Sequence, residues 1–180
     1  MTDKIIKNNS KIIIQTKCEI SKTDSNIETC VLVAVGRDDS GVIRSDKDFL
    51  YHSNQSMPGI DILSDTNTRN DLNVVIDFPQ LDSGINQISI ALFAYSGGFI
   101  KDIDRTEFIA HKVNHDEYEP EMFLSEFNSQ DISSHESTAL IGVKIKRSKE
   151  DHWELSSNGT FLSVGHEDFG IKAILNYMLD

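Results

Sequence analysis

The sequence predicts an all-β chain: an antiparallel β-sandwich of two sheets with a few short helices. Three observations carry that reading. Apolar side chains recur with a period of two over many short segments, turn residues punctuate those segments, and a helical period occurs once, at the end.

Taken in order, the strand candidates are Lys11–Lys17, Thr29–Gly36 and Phe49–His52, then the segment LNVVIDF, in which Val74, Ile76 and Phe78 oppose Asn73, Val75 and Asp77. In NQISIALFAY, Ile88, Ile90, Leu92 and Ala94 alternate with Ser89, Ala91, Phe93 and Tyr95. Glu107–Val113 and Glu121–Phe127 follow. In TALIGVKIKR, Ile141, Val143 and Ile145 oppose Lys144 and Lys146, a strand with one wet face, and His152–Ser156 closes the series. Asp-Ser-Gly at 39–41, Asp-Ser-Gly at 82–84 and Asn158-Gly159 read as turns. Over Phe169–Leu179, Ile171, Ile174, Leu175 and Met178 have helical spacing after Asp168, a suitable N-cap. This predicts an amphipathic C-terminal helix over an edge or end of the sandwich. With three prolines and no low-complexity tract, residues 1–180 are expected to form a single domain, with 1–10 as a flexible N-terminal segment.

The 180 residues suffice for a real core. Twenty-nine acidic against 17 basic side chains give a net charge of −12, which disfavours nucleic acid, since phosphate contacts need clustered Lys and Arg. Cations or basic protein surfaces suit this charge, and so does solubility alone. No apolar run is long enough for an export signal or a membrane span, so no membrane insertion is expected. Two cysteines, Cys18 and Cys30, make no disulfide scaffold and no zinc pattern. They read as reduced thiols on strands of a cytoplasmic protein.

Enzymatic motifs are missing: there is no G-x-S-x-G, P-loop, G-x-G-x-x-G or H-E-x-x-H. His111 and His115 fall on a strand and its exit, where residues four apart are about 13 Å from each other, too far to share a metal. Tyr95-Ser96-Gly97-Gly98 reads as a loop. Oxygen-rich segments are better candidates. Glu19, Asp24, Asn26 and Glu28 fall in one loop, and Asp61, Asp65, Asn67, Asn70 and Asp71 in another. Ca²⁺ takes six to eight oxygens from such groups. Two loops at one end of a sandwich could supply them, and solvated loops need no metal at all.

Two runs, GVIRSDKDFLYHSNQ and NVVIDFPQLDSGINQISIALFAY, resemble the centre of the TerD family of tellurium-resistance and stress proteins. That family has a G-x-V-x-S-D-x-D-F-V-F-Y-N-Q stretch before an acidic loop. The segment DIDRTEFIAHKVN is similar to its next strand. ESTALIGVKIKRSKEDHWELSSNG resembles its T-A-x-x-x-G-E-L-Y-R-x-x-G-x-W-K-F hairpin with Trp153 at the tryptophan position, and FGIKAILNYML its closing helix. The resemblance spans about Lys11 to Leu179. It implies a β-sandwich, Ca²⁺ held by acidic loops, and a role in stress or tellurite resistance. It also makes Asp46 and Asp48 turn and strand-start residues first and metal ligands second, with Phe49 and Tyr51 on one strand face and Leu50 on the other.

The sequence departs from that pattern in the loops. Ser25-Asn26-Ile27-Glu28-Thr29 replaces a run of short acids, and Asp65-Thr66-Asn67-Thr68-Arg69-Asn70-Asp71-Leu72 lacks the family's glycines and gains Arg69. Fewer carboxylates weaken Ca²⁺ binding. A cation at a few ångströms costs about 1 kcal/mol in water, although Arg69 could instead pair with Asp65 or Asp71. The metal candidates are Glu28, Asp65 and Asp71, with Asn26, Asn67 and Asn70 as neutral donors. The expectation is a non-enzymatic protein that binds Ca²⁺ weakly or acts through protein partners of the same resistance system. One alternative is a metal-free interaction module docking through its acidic 116–131 surface. A hydrolase with an unrecognised site is a remote one.

Overall fold

A computed structural model describes residues 4–20, 28–37, 46–64, 71–94, 98–114, 117–118, 122–128, 137–148, 152–163, 174–175 and 177–179. Its strands are β1 Lys4–Lys7, β2 Lys11–Glu19, β3 Thr29–Gly36, β4 Phe49–Leu50, β5 Ser56–Met57, β6 Ile60–Ser64 and β7 Asp71–Asp77. They continue as β8 Gln87–Ala94, β9 Arg105–Asn114, β10 Glu117–Tyr118, β11 Met122–Asn128, β12 Ala139–Arg147 and β13 His152–Leu162. All pairings are antiparallel. A six-stranded sheet runs β1-β13-β12-β8-β3-β4, and a seven-stranded sheet runs β10-β9-β2-β7-β6-β5 with β11 also on β9. The predicted sandwich is thus observed.

The period-two residues explain how the sheets close. Ile12 and Ile14 of β2 and Val74 and Ile76 of β7 meet Val31, Val33 and Val35 of β3 and Ile88, Ile90 and Leu92 of β8 in one inner core. Each such side chain stabilises by about 1.5–3 kcal/mol when fully buried. Trp153 is fully buried there, with Phe78 at 5.1 Å between ring centroids and the Arg147 guanidinium 4.9 Å from its ring centre. Opposite Trp153 stands Ile6 of β1, itself buried. The segment expected to be a flexible N-terminus therefore contributes an edge strand.

β3 and β8 are buried on both faces, so the six-stranded sheet has a second apolar layer. Leu32, Ala34, Phe49, Ala91, Phe93 and Ile141 pack there with Ile174, Met178 and Leu179. Within the predicted helix 169–179, residues 174, 175, 177 and 178 have helical backbone, and the rest of that span lies outside the described residues except Leu179. This C-terminal segment covers the outer face of the six-stranded sheet, not an edge or end as the sequence suggested. The face is apolar enough to need a cover. Gln87 Nε2 donates to the Leu179 carbonyl at 2.8 Å, and Gly36 leaves room for the Leu179 side chain, 3.5 Å from where a Cβ would sit.

The hairpin near Trp153 departs from expectation. Asn158-Gly159 is not a turn: it lies inside β13, where the two residues oppose Gly142 alone, between the pairs Ile141↔Thr160 and Val143↔Ser157. Against β8, Gly142 is itself the extra residue, between Ile141↔Ala91 and Val143↔Ile90, and it shifts the alternation of β12 by one. Leu140 therefore faces the inner core, Ile141 the outer layer, and Val143 and Ile145 the inner core again, so Ile141 does not share a face with Val143 and Ile145. A Cβ on Gly142 would stand 2.1 Å from the Phe108 ring and one on Gly159 2.9 Å from Phe127. The two glycines seat an aromatic row in which Phe127 meets Phe108 and Phe161 edge-on, at 6.2 and 5.9 Å.

Candidate functional site

Strand ends define the rim where the oxygen-rich loops emerge. Lys17↔Asp71 and Ser64↔Leu72 set the ends of β2, β6 and β7 level, and Glu19↔Arg105 and Arg105↔Asn128 add β9 and β11. In the other sheet Thr29↔Ala94 and Ala139↔Phe93 mark the same end. Segments 20–28 and 64–71 therefore leave from one rim. Glu28 is exposed just before β3, and Asp71 is half-buried at the start of β7. Asn26, Asp65, Asn67 and Asn70 lie outside the described residues, as do Arg69, His115 and residues 95–97 of the glycine loop. Among the described residues, no three His, Cys, Asp or Glu side chains are grouped to hold a metal ion.

Asp71 also acts inward. Cys18, buried on β2, has its thiol pushed up to about 12, chiefly by burial and further by the Asp71 charge, while a hydrogen bond with Thr106 lowers it. Cys30 is likewise pushed up to about 12 by burial. Both thiols are free and stay protonated, and they lie in different layers of the fold.

The sequence reading missed a hub on this rim. Arg105 Nη2 donates to Glu107 Oε1 and, at 2.8 Å, to Glu126 Oε2, while Nη1 lies 3.6 Å from Glu19 Oε1. Asn128 Nδ2 donates to the other oxygen of Glu126 at 3.2 Å. These bonds, Arg105 foremost, hold the Glu126 carboxyl below its ordinary range. The spacing of Arg105 and Glu107 puts both on one strand face. Nothing local announces Glu126, which reaches the hub through the β9–β11 register.

At the opposite end Asp48 follows a different fate from a metal ligand. It closes a 3₁₀ turn, Asp46–Asp48, and its buried carboxylate accepts from Arg37 Nε at 2.6 Å. Arg37 Nη1 donates to Asp82 Oδ2 at 2.6 Å, and Asp82 Oδ1 accepts the Gly84 N–H at 2.9 Å. The Gly84 amide first, then Arg37, hold the Asp82 carboxyl below its ordinary value. Phe49 and Tyr51 stack at 5.3 Å on the outer layer while Leu50 enters the inner core, the predicted division of that strand. His111 sits on β9 with Nε2 3.3 Å from Gln15 Oε1.

No helix among the described residues is long and apolar enough to cross a membrane. No known family profile and no curated protein matches the sequence. Solved structures do match the fold. One is the crystal structure of a homologue of the telluride resistance protein TerD from Streptomyces coelicolor A3(2), with a TM-score of 0.63 and 11% identity, covering 86% of this chain and 92% of that one. Another is a protein of unknown function, with a TM-score of 0.62 and 12% identity, covering 91% and 96%. At such identities the likeness is one of fold. The fold is TerD-like, and the sequence that adopts it is divergent.

Proposed function

We propose that this chain is a non-enzymatic, TerD-like stress or tellurite-resistance protein that works by binding, taking Ca²⁺ weakly through segments 20–28 and 64–71 or engaging protein partners of the same resistance system. The observation that supports it is the common rim: the strands flanking both oxygen-rich segments end level. Glu28 and Asp71 are the anionic ligands of this reading at the described edges of the loops. Asp65 adds a third carboxylate, and Asn26, Asn67 and Asn70 add neutral oxygens. So few charges fit the weak end of Ca²⁺ sites, with dissociation constants of about 10⁻⁴–10⁻³ M.

Calorimetric titration with Ca²⁺, alongside melting in Ca²⁺ and in EDTA, tests this. A hundredfold excess over the dissociation constant stabilises by about 2.7 kcal/mol, and a Glu28→Gln, Asp71→Asn variant is expected to lose both heat and shift. No heat and no shift at millimolar Ca²⁺ overturns the cation reading. A second reading, the metal-free interaction module, is favoured by the Arg105 hub. At this rim Glu19, Glu107 and Glu126 already face a cation that the chain itself supplies.

A further inference from the structure

The two sheets treat their outer faces differently. On the six-stranded sheet the chain's own Ile174, Met178 and Leu179 complete the apolar layer. On the seven-stranded sheet, the registers set Val75 directly opposite Ile13 and place Leu63 and Ile109 in the next row, on either side of Asn73 and Gln15. Val75 and Ile109 are only 8% and 4% exposed, yet they belong to neither core layer, and Leu63 is 50% exposed. These four aliphatic side chains form a stripe on the outer face, of which Leu63 and the half-buried Ile13 are the accessible part.

Charge brackets the stripe at both ends. Lys11 stands opposite Asp77, Lys17 opposite Asp71 and Glu107, and Arg105 is held by Glu107 and Glu126. Each cation on the face thus already has a carboxylate of the same face beside it. With Asp61, exposed and opposite Val75, and Glu19, opposite Arg105, the described residues of this face carry six carboxylates against three cations. A second copy of the chain is a poor occupant, since both would carry −12.

We propose that this outer face is a docking surface for a basic segment of another protein in which Lys or Arg alternates with aliphatic residues. The aliphatic residues lie on Leu63 and Ile13, the accessible part of the stripe, and the basic ones meet the surplus carboxylates, Asp61 beside it and those at its ends. The proposal rests on the binding reading above, names a partner class for it, and stands without Ca²⁺.

The test is titration of the purified chain, in EDTA and about 0.15 M salt, with a short synthetic peptide of alternating lysine and leucine. Saturable binding is expected, about tenfold weaker in an Ile13→Ser, Leu63→Ser variant. It should be unchanged in Ile5→Ser, a 66% exposed position on the other sheet. Amide shifts in the wild-type chain should concentrate on β2, β7 and β9, which keeps the proposal testable if the double variant folds poorly. No saturable binding overturns it. So does equal binding by the double variant and Ile5→Ser, which would mark attraction by net charge alone. Because EDTA is present, failure here leaves the Ca²⁺ titration standing, and the reverse holds too.

Discussion

Arg37 and Arg105 stand at opposite ends of the sandwich, each gripped by carboxylates, and they do different work. Arg37 reaches a carboxylate that is 3% exposed, at the start of β4, and a second one in the turn before β8. It therefore ties three chain segments across the mouth of the six-stranded sheet. Arg105 is 37% exposed, and its partners Glu19, Glu107 and Glu126 are all in the seven-stranded sheet. Similar chemistry closes one end of the fold and leaves the other as a wet, negative surface. Burial, not residue type, separates the two: exposed pairs are worth about 0–1 kcal/mol, whereas removing one partner of a buried pair costs about 3–5 kcal/mol.

The largest expected effect follows from that difference. Asp48→Ala removes the buried half of the clamp and leaves Arg37, 28% exposed, on Asp82 alone, and we expect a loss of about 2 kcal/mol in urea unfolding; a loss below about 1 kcal/mol would erase the contrast between the two ends. Acid should act next. Asp82 and Glu126 have folded pKa values below their ordinary 3.8 and 4.5. Depressed values stabilise above the unfolded pKa, and that stability is lost as pH falls through the folded one. Melting temperature should therefore drop below about pH 4, less steeply in Asp82→Asn. A slope identical to wild type would remove Asp82 from the account. The smallest effect belongs to Arg105→Gln: a slight fall in melting temperature at low salt that vanishes near about 1 M salt.

How much of this was legible in the sequence differs by region. Alternation in Leu72–Phe78 and Asn86–Ala94 gave the strands and their inward faces, because a period of two survives wherever one side is buried. It failed at Gly142, where a bulge moves the phase by one, and at Asn158-Gly159, whose turn chemistry also suits a bulge. Short edge strands such as Lys4–Lys7 and Ser56–Met57 are too brief to show a period. The Arg37 clamp joins residues 11 and 45 positions apart, so only the folded chain brings it together. Of the expected metal residues, Glu28 and Asp71 could be placed on the rim. The other four lie outside the described residues, and oxygen-rich composition alone does not fix a coordination geometry.

The six-stranded sheet carries a further consequence, for synthesis. Among the described residues its β1 edge, Lys4–Lys7, pairs only with His152–Leu155, and β8 has β3 on one side and β12 on the other. Strand β1 thus waits for β13, the last of the described strands, before it can pair. Such long-range pairing should make this sheet slow to form, with Val31–Val35 and Ile88–Leu92 open to chaperones until β12 and β13 have been made.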